Sequence, residues 1–409
     1  MDETSRYAVG LDVGTKNVRA VVLSVSKGGE LAVVGYNEGA SEGMRKGIVV
    51  NLNGPARAID RMLLDVEHMS GQNVSAAYVS TNGSQLLTTK TDGLIAVGTV
   101  EHEIDEHDLM RVEDVAVVGR IPANRTVLDV VPLEYSIDGQ RGIKDPVGMS
   151  GARLEVRACV YSALTPNVEN LKKAMEQTDI YAKRIVPSVV AAARAVLTER
   201  QKENGVAIVD FGATTTSVAV YMEGDLQYLG VVPAGSDNIT NDLAIVLAIE
   251  PDFADELKNR FVTGDFKSEK AKVIKITRNK VERAFDRDEV DNVVKARLDD
   301  IFGEVRKLLK SAHYDQMLPE GIVLVGGGAK MRDVDVYVRE VMEASVKVGV
   351  PTGLNGVADK IATPEYAAAV GLAMMDAEEN AQMMSNKRSA KKKDKKLGES
   401  FLKKIFSKF

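Results

Sequence analysis

The sequence predicts an α/β protein of two related lobes, on three observations. Residues Tyr7–Leu23, YAVGLDVGTKNVRAVVL, read as an apolar strand ending in an Asp, a Gly-containing turn and a second strand. The same order returns at Ala207–Tyr221, AIVDFGATTTSVAVY, where laying Asp12 on Asp210 also lays Gly14 on Gly212. The third observation is Ile322–Gly328, IVLVGGG, a buried strand that runs into three glycines and then a helix near Ala329. Backbone N–H groups in such Gly turns point together at phosphate oxygens, and an Asp at the strand tip suits a hydrated magnesium ion. Three glycines after a strand let the chain pass close to a flat base or ribose, where any Cβ would collide. One Asp-x-Gly hairpin alone carries little weight, since most are ordinary strand turns. The pair, followed by the glycines in this order, carries the prediction.

That order resembles the actin, Hsp70 and sugar-kinase superfamily. Composition agrees with a fold of that size: 409 residues, 44% hydrophobic and 27% charged, describe an ordinary globular chain with room for two or three domains. The single Cys159 permits no internal disulfide, which fits a reducing compartment. His68, His102, His107 and His313 show no metal-binding spacing, and the run EHEIDEHD around His102 and His107 reads as the charged first turn of a helix. The acidic start, Met1-Asp2-Glu3-Thr4, is unlike a signal peptide, and no apolar run approaches the roughly 18 residues of a membrane span.

Along the first half, Leu31–Tyr36 continues the hairpin as a strand, Gly43–Ile48 is a Gly-bounded turn, and Pro55 opens a helix with Ile59, Met62, Leu63 and Val66 at helical spacing. Ala76–Ser80 is a further strand. From about Ser84 to Ser162 the texture changes to strands such as Leu94–Val97 and Thr126–Val131 around one helix, Asp105–Val117, an inserted small α/β subdomain without phosphate-binding signals. A helix with Thr165-Pro166 at its start, a strand Ala182–Val186 and an Ala-rich helix Pro187–Thr198 follow. In the second half, Pro233-Ala234-Gly235-Ser236 leads into a helix of about Asn238–Ile249, whose N-terminus is another place for phosphate charge. Phe266–Arg287 is rich in Lys and Arg and reads as a solvated face, and Glu289–Ala312 is a long amphipathic helix with Arg297 off its apolar stripe. Glu365–Asp376 closes the body as a helix with small residues on its packing side.

The net charge of −6 hides an asymmetry: Lys387–Phe409 holds ten Lys/Arg and two acids, net +8, so the rest carries −14. An acidic body repels nucleic acid while a basic end seeks an anionic surface. Residues 380–397 read as a disordered polar tether. In the last twelve, GESFLKKIFSKF, Phe401, Leu402, Ile405, Phe406 and Phe409 share one helical face, with Lys403, Lys404 and Lys408 on its flank and far side. Such a helix, about 18 Å long, is too short to cross a bilayer and suited to lie in its surface.

Gly43-Met44-Arg45-Lys46-Gly47, Gly142–Gly151 (GIKDPVGMSG), Ile239–Ala244 (ITNDLA) and Gly321–Gly328 resemble the bacterial cell-division family FtsA, over nearly the entire chain and its terminal amphipathic helix. The resemblance implies an actin-like fold: a first lobe at 1–83 and 164–198, an inserted subdomain at 84–163, a second lobe at 199–236 and 314–379, and a partner-binding subdomain at 237–313. A basic linker, 380–397, and a membrane-targeting helix, 398–409, complete it. It further implies ATP and Mg2+ between the lobes, polymerisation, attachment to the cytoplasmic face of the plasma membrane at the division site, binding of the FtsZ C-terminal tail, and recruitment of later division proteins. Carried over by position, Gly14, Thr15, Lys16 and Asn17 form the first phosphate turn and Asp210, Gly212, Ala213, Thr214 and Thr215 the second. Gly235, Gly326, Gly327, Gly328 and Lys330 line the phosphate and adenosine sides, with Lys258 near the ribose, and Asp12 and Asp210 reach magnesium through water. Arg283 and Arg297 fall where the tail meets basic groups. One departure stands out: Ala213 occupies a position that is usually Gly, which places a Cβ where the backbone approaches phosphate. Neither Asp12 nor Asp210 is free to act as a general base, so weak ATPase activity or none is expected. Two other readings use the same scaffold: a pilus-assembly relative of FtsA and a small-molecule kinase.

Overall fold

The structure, a computed structural model, describes residues 6–260, 272–278, 281–315 and 317–381. The linker and amphipathic helix expected at 380–409 therefore lie outside the described residues beyond Ala381, as do Phe401–Phe409.

In the first lobe the antiparallel hairpin Arg6–Val13/Asn17–Val25 sits at the centre of a six-stranded sheet ordered 181–187, 76–81, 6–13, 17–25, 31–40, 355–356. Helix Asn53–Ser70 covers one face through Ile59, Met62, Leu63 and Val66, all buried, and stops at Gly71, whose left-handed φ of 65° lets its N–H reach the Glu67 carbonyl. The helix starts two residues before Pro55, which occupies its first turn, where a missing N–H costs nothing.

The second lobe repeats the hairpin as Val206–Phe211/Thr216–Met222, in a five-stranded sheet ordered 225–232, 216–222, 206–211, 322–325, 346–348. Strand Ile322–Val325 runs parallel to Val206–Phe211 with Val325 opposite Asp210, so the glycines that follow emerge beside that carboxylate. The helix expected near Ala329 is a single 3-10 turn, Gly327–Lys330; the α-helix begins at Val334. Helices Ser236–Val246, Pro251–Lys258 and Arg287–Ser311 pack over this sheet with the hairpin Val273–Arg278/Val281–Asp286. That hairpin falls within the Lys/Arg-rich run read as a solvated face: Ile274 and Ile276 point inward while Lys275 is exposed, a period of two diluted by charge.

The inserted subdomain is a four-stranded antiparallel sheet, ordered 87–96, 153–164, 125–137, 140–143, covered by helix Glu106–Val117. Its strand Arg125–Ile137 outruns the expected Thr126–Val131 because Pro132 is accommodated at a register shift opposite Ala158. Asp105, His107 and Asp108 converge, but Asp105 caps the helix through the His107 and Asp108 N–H groups, and Asp108 pairs with His102 and Arg111. This matches the charged helix start read from EHEIDEHD. The subdomain also touches the second lobe: the Thr88 hydroxyl bonds both N–H and carbonyl of Leu229, and Lys144 pairs with Asp225 at 2.5 Å.

Residues 367–381 form a closing helix that returns from the second lobe to the first. Small residues make this possible. A Cβ on Gly371 would stand 1.7 Å from the Ala191 carbonyl oxygen, and one on Gly10 would stand 2.1 Å from that of Ala369. Buried Asp376 fixes the crossing, accepting from Val9 N at 2.9 Å and Lys183 Nζ at 2.7 Å.

Candidate functional site

The two hairpin turns face each other across a cleft, and they close in the same way. Gly14 N donates to the Asn17 carbonyl at 3.1 Å, and Gly212 N donates to the Thr215 carbonyl at 3.0 Å. Thr15 and Thr214 meet between them, hydroxyl to hydroxyl, at 3.1 Å. Lys16 spans the gap to Asp237 at 3.3 Å and Asp255 at 3.1 Å.

Asp12 and Asp210 stand at the strand ends below the turns, each held by a serine hydroxyl at 2.6 Å: Ser80 for Asp12 and Ser188 for Asp210. Burial raises the pKa of both. For Asp12 the Ser80 hydrogen bond, Arg19 and Asn82 oppose the rise; Asp210 is pushed up to about 6, with Asp12's negative charge adding to its desolvation. Among the described residues neither carboxylate has a Lys or Arg at ion-pair distance, although the charge of Arg19 acts on both; two like-charged carboxylates in this position can take a divalent cation.

The remaining lining groups divide into two walls. On one, Lys258 is buried against Thr240 at 3.0 Å and Asp255 at 2.6 Å, and Lys258 with Lys16 holds the Asp255 carboxyl at about 2 against its own desolvation. On the other, Gly326 N donates to the Pro364 carbonyl at 2.9 Å and Lys330 pairs with Glu365 at 2.7 Å. Gly326 needs to be glycine twice over: its φ is 85°, and a Cβ would lie 2.3 Å from Asp210 Oδ1.

Asp12, Gly14, Thr15, Lys16, Asn17, Asp210, Gly212, Ala213, Thr214, Thr215, Lys258, Gly326, Gly327 and Lys330 all line this one cleft. Gly235 and Gly328 stand behind its walls: a Cβ on Gly235 would strike the Gly212 and Ala213 carbonyls at 2.6 Å, and one on Gly328 would strike the Phe211 ring at 2.5 Å. Ala213 has its carbonyl taken by Asp237 N at 2.8 Å, so the turn is braced on helix Ser236–Val246. Arg283 and Arg297 lie away from the cleft. Arg283 pairs with Glu250 and sits 5.0 Å from the Phe253 ring centre; Arg297 pairs with Asp242 at 2.5 Å and with Asp300.

Ser80, Ser188, Asp255 and Glu365 are site residues that the sequence reading missed. Ser188 is legible only as the residue after Pro187 at a helix start, and Asp255 and Glu365 only as acids in helical first turns or faces, signals shared with many surface residues. Chemically, the arrangement offers two opposed Gly turns and Lys16 for an oxyanion, a carboxylate pair for a cation, and Gly326 and Gly327 along the wall beside them.

Comparison with known proteins agrees with this architecture. A family profile described as "Cell division protein FtsA" matches residues 207–371, and one described as "SHS2 domain inserted in FTSA" matches residues 83–162. Cell division protein FtsA of Pseudomonas aeruginosa is 33% identical over 386 residues, covering 94% of this chain and 92% of that protein. The protein of the same description from Borreliella burgdorferi is 31% identical over 410 residues, covering 98% of each. Among solved structures, a PilM-PilN type IV pilus biogenesis complex superposes with a TM-score of 0.67 at 15% identity, covering 90% of this chain and 98% of that one. MreB 5 of Spiroplasma citri bound to AMPPNP gives 0.51 at 16%, covering 94% and 99%. These two likenesses establish the actin-like fold.

Proposed function

The chain belongs to the FtsA family of cell-division proteins, and from that premise we propose that it is an ATP-binding scaffold which polymerises on the inner membrane and tethers FtsZ filaments there. The observation that carries the nucleotide part is the paired geometry: two matched Gly turns, each over a desolvated aspartate, opposed across one cleft. The triphosphate takes the turn N–H groups and Lys16, which exchanges Asp237 and Asp255 for phosphate oxygens. Asp12 and Asp210 fit a hydrated Mg2+ ion, being two desolvated carboxylates of like charge, one buried and one half-buried, with no Lys or Arg at ion-pair distance among the described residues. When bound, the ion neutralises both carboxylates and phosphate.

A ligand touching both lobes favours the arrangement in which both turns reach it, and so favours one polymer geometry. Hydrolysis is optional to such a switch. Beyond Asp12 and Asp210, the acidic groups of the cleft are already engaged: Glu38 with Arg19, Asp255 with Lys16 and Lys258, Glu365 with Lys330.

The FtsZ tail, an acidic-peptide class of ligand, is assigned to the subdomain 237–313, with Arg283 and Arg297 exchanging Glu250 and Asp242 for its carboxylates. Phe401, Leu402, Ile405, Phe406 and Phe409 with the lysines around them anchor the polymer to anionic lipid, since stable attachment takes an apolar face and a basic patch together. The site of action is then the cytoplasmic face of the plasma membrane at the division site, where later division proteins gather. Co-sedimentation with anionic liposomes, with and without ATP, tests this. The full chain is expected to pellet and to carry an FtsZ tail peptide down with it; a chain ending at Leu397 is expected to stay in solution. Equal pelleting of both chains rejects the anchor, and failure to carry the peptide rejects the tether.

A further inference from the structure

The strand register of the first lobe sets three charged residues in a row. Asp12 stands opposite Arg19 in one antiparallel pair, and Arg19 stands opposite Glu38 in the next. Directly opposed residues of antiparallel strands point to the same face, with Cβ atoms about 5 Å apart. Here that face is the wall of the cleft, which all three residues line. The row reads acid, base, acid, one cation between two carboxylates.

The guanidinium is committed to the outer acid. Arg19 Nε donates to Glu38 Oε2 at 3.0 Å, while Asp12 takes its hydrogen bond from the Ser80 hydroxyl at 2.6 Å. The two ends of the row differ in their surroundings: the Glu38 side chain is 49% exposed, whereas Asp12 is buried. An ion pair with an exposed carboxylate is weak, and a positive charge beside a desolvated one is felt strongly. Arg19 is itself enclosed, its side chain 13% exposed and its guanidinium carbon 5.7 Å from the centre of the Tyr366 ring, so it stays near both acids whichever one holds it. Glu38 therefore decides where along the row the charge sits.

Resting on the nucleotide and Mg2+ reading of the cleft, we propose that Arg19 is an internal rival of the divalent cation for Asp12, and that Glu38 sets the strength of that rivalry by drawing the guanidinium outward. With Glu38 in place, Asp12 and Asp210 are left to the metal. Without it, Arg19 turns one place along the row to Asp12 and opposes metal binding by repulsion between like charges. Glu38 is thus a positioning residue, which acts on the metal only through Arg19.

The test is calorimetric titration of the full chain with ATP at stepped concentrations of free Mg2+, which gives the Mg2+ concentration at which ATP affinity is half enhanced. Glu38→Gln is expected to raise that midpoint about 3- to 10-fold, and Arg19→Met, which keeps the aliphatic stem and removes the charge, to lower it by a similar factor. The double variant is expected to match Arg19→Met, because Glu38 then has nothing to position. Loss of mere structural support gives neither the opposed shifts nor the masking, since a loosened cleft weakens Mg2+ and ATP together in all three variants. Shifts of the two single variants in the same direction overturn the proposal, as does an unmoved midpoint in Glu38→Gln, a substitution at an exposed side chain. A loss of ATP affinity in Arg19→Met at every Mg2+ concentration, with the midpoint unmoved, makes the guanidinium a phosphate ligand and overturns it too. Mg2+-dependent uptake that no variant shifts sinks the charged row alone, whereas a parent chain that takes up no ATP, or takes it up indifferently to Mg2+, sinks the nucleotide and metal reading with it.

Discussion

Replacing Asp210 with Asn tests the electrostatic cost of a desolvated carboxylate that also feels the charge of Asp12. The Asp210 carboxyl is raised from 3.8 to about 6 by burial and by the neighbouring Asp12, despite the hydrogen bond from Ser188. A folded-state pKa above the unfolded one means that the native chain binds the extra proton between about pH 4 and pH 6. Stability from this group is therefore greatest below pH 4, falls as pH rises through about 6, and stays reduced above it. A rise of that size is worth about 3 kcal/mol, and water entering the cleft screens it to roughly 1–2 kcal/mol. Asn keeps an acceptor for Ser188 and removes the charge. Without nucleotide and with a chelator present, the variant is expected to unfold at a higher temperature than the parent at pH 7.5, by about 1–3 °C, and at the same temperature near pH 4. With Mg2+ and ATP the order reverses, because the variant loses much of the ligand-linked stabilisation. Thermal denaturation at the two pH values, with and without ligand, reads all four quantities. A variant destabilised equally at both pH values that keeps the full Mg2+-ATP shift would refute the reasoning.

Other substitutions probe other parts. Gly326→Ala, with a Cβ 2.3 Å from Asp210 Oδ1 and a φ of 85°, is expected to weaken nucleotide uptake at least about 10-fold in calorimetry and lower stability by about 1–3 kcal/mol. Gly371→Ala places a Cβ 1.7 Å from a backbone carbonyl and is expected to cost at least about 3 kcal/mol in urea denaturation, with the closing helix loosened on the first lobe; a change below about 1 kcal/mol would contradict the packing. Lys16→Ala removes the bridge to Asp237 and Asp255 and is expected to reduce both ATP affinity and the salt dependence of binding, as titrations at about 50 and 300 mM salt would register. Arg297→Ala, whose pair with Asp242 is partly exposed, is expected to change stability by no more than about 1 kcal/mol while weakening FtsZ-tail binding several-fold in fluorescence polarisation; unchanged tail binding would leave Arg297 a structural residue.

The parts of the site that were legible in the sequence are those whose chemistry is local. Asp12 and Gly14 lie within one turn, as do Asp210 and Gly212, and a strand that ends in glycines announces itself. What pairs with them is not local. Ser80 reaches Asp12 over 68 positions, Lys16 reaches Asp255 over 239, and Asp376 reaches Val9 over 367, so nothing in a window around either partner signals the contact. Charge misled in two places. The hairpin Val273–Arg278/Val281–Asp286 hides a two-residue apolar period under Lys and Arg, and Arg283 and Arg297 look free in sequence but are ion-paired in the fold. Glycines were legible as a class but not by role: Gly326 opens the cleft, whereas Gly235 and Gly328 make room for the chain's own backbone and the Phe211 ring.

The measurement that tests the central claim most directly is calorimetric titration of the full chain with ATP in the presence of Mg2+. One nucleotide per chain is expected, with uptake reduced at least about 100-fold when Asp12 and Asp210 are both replaced by Asn. No uptake by the parent chain, or undiminished uptake by the double variant, would contradict a cleft in which two opposed turns and their aspartates hold the triphosphate.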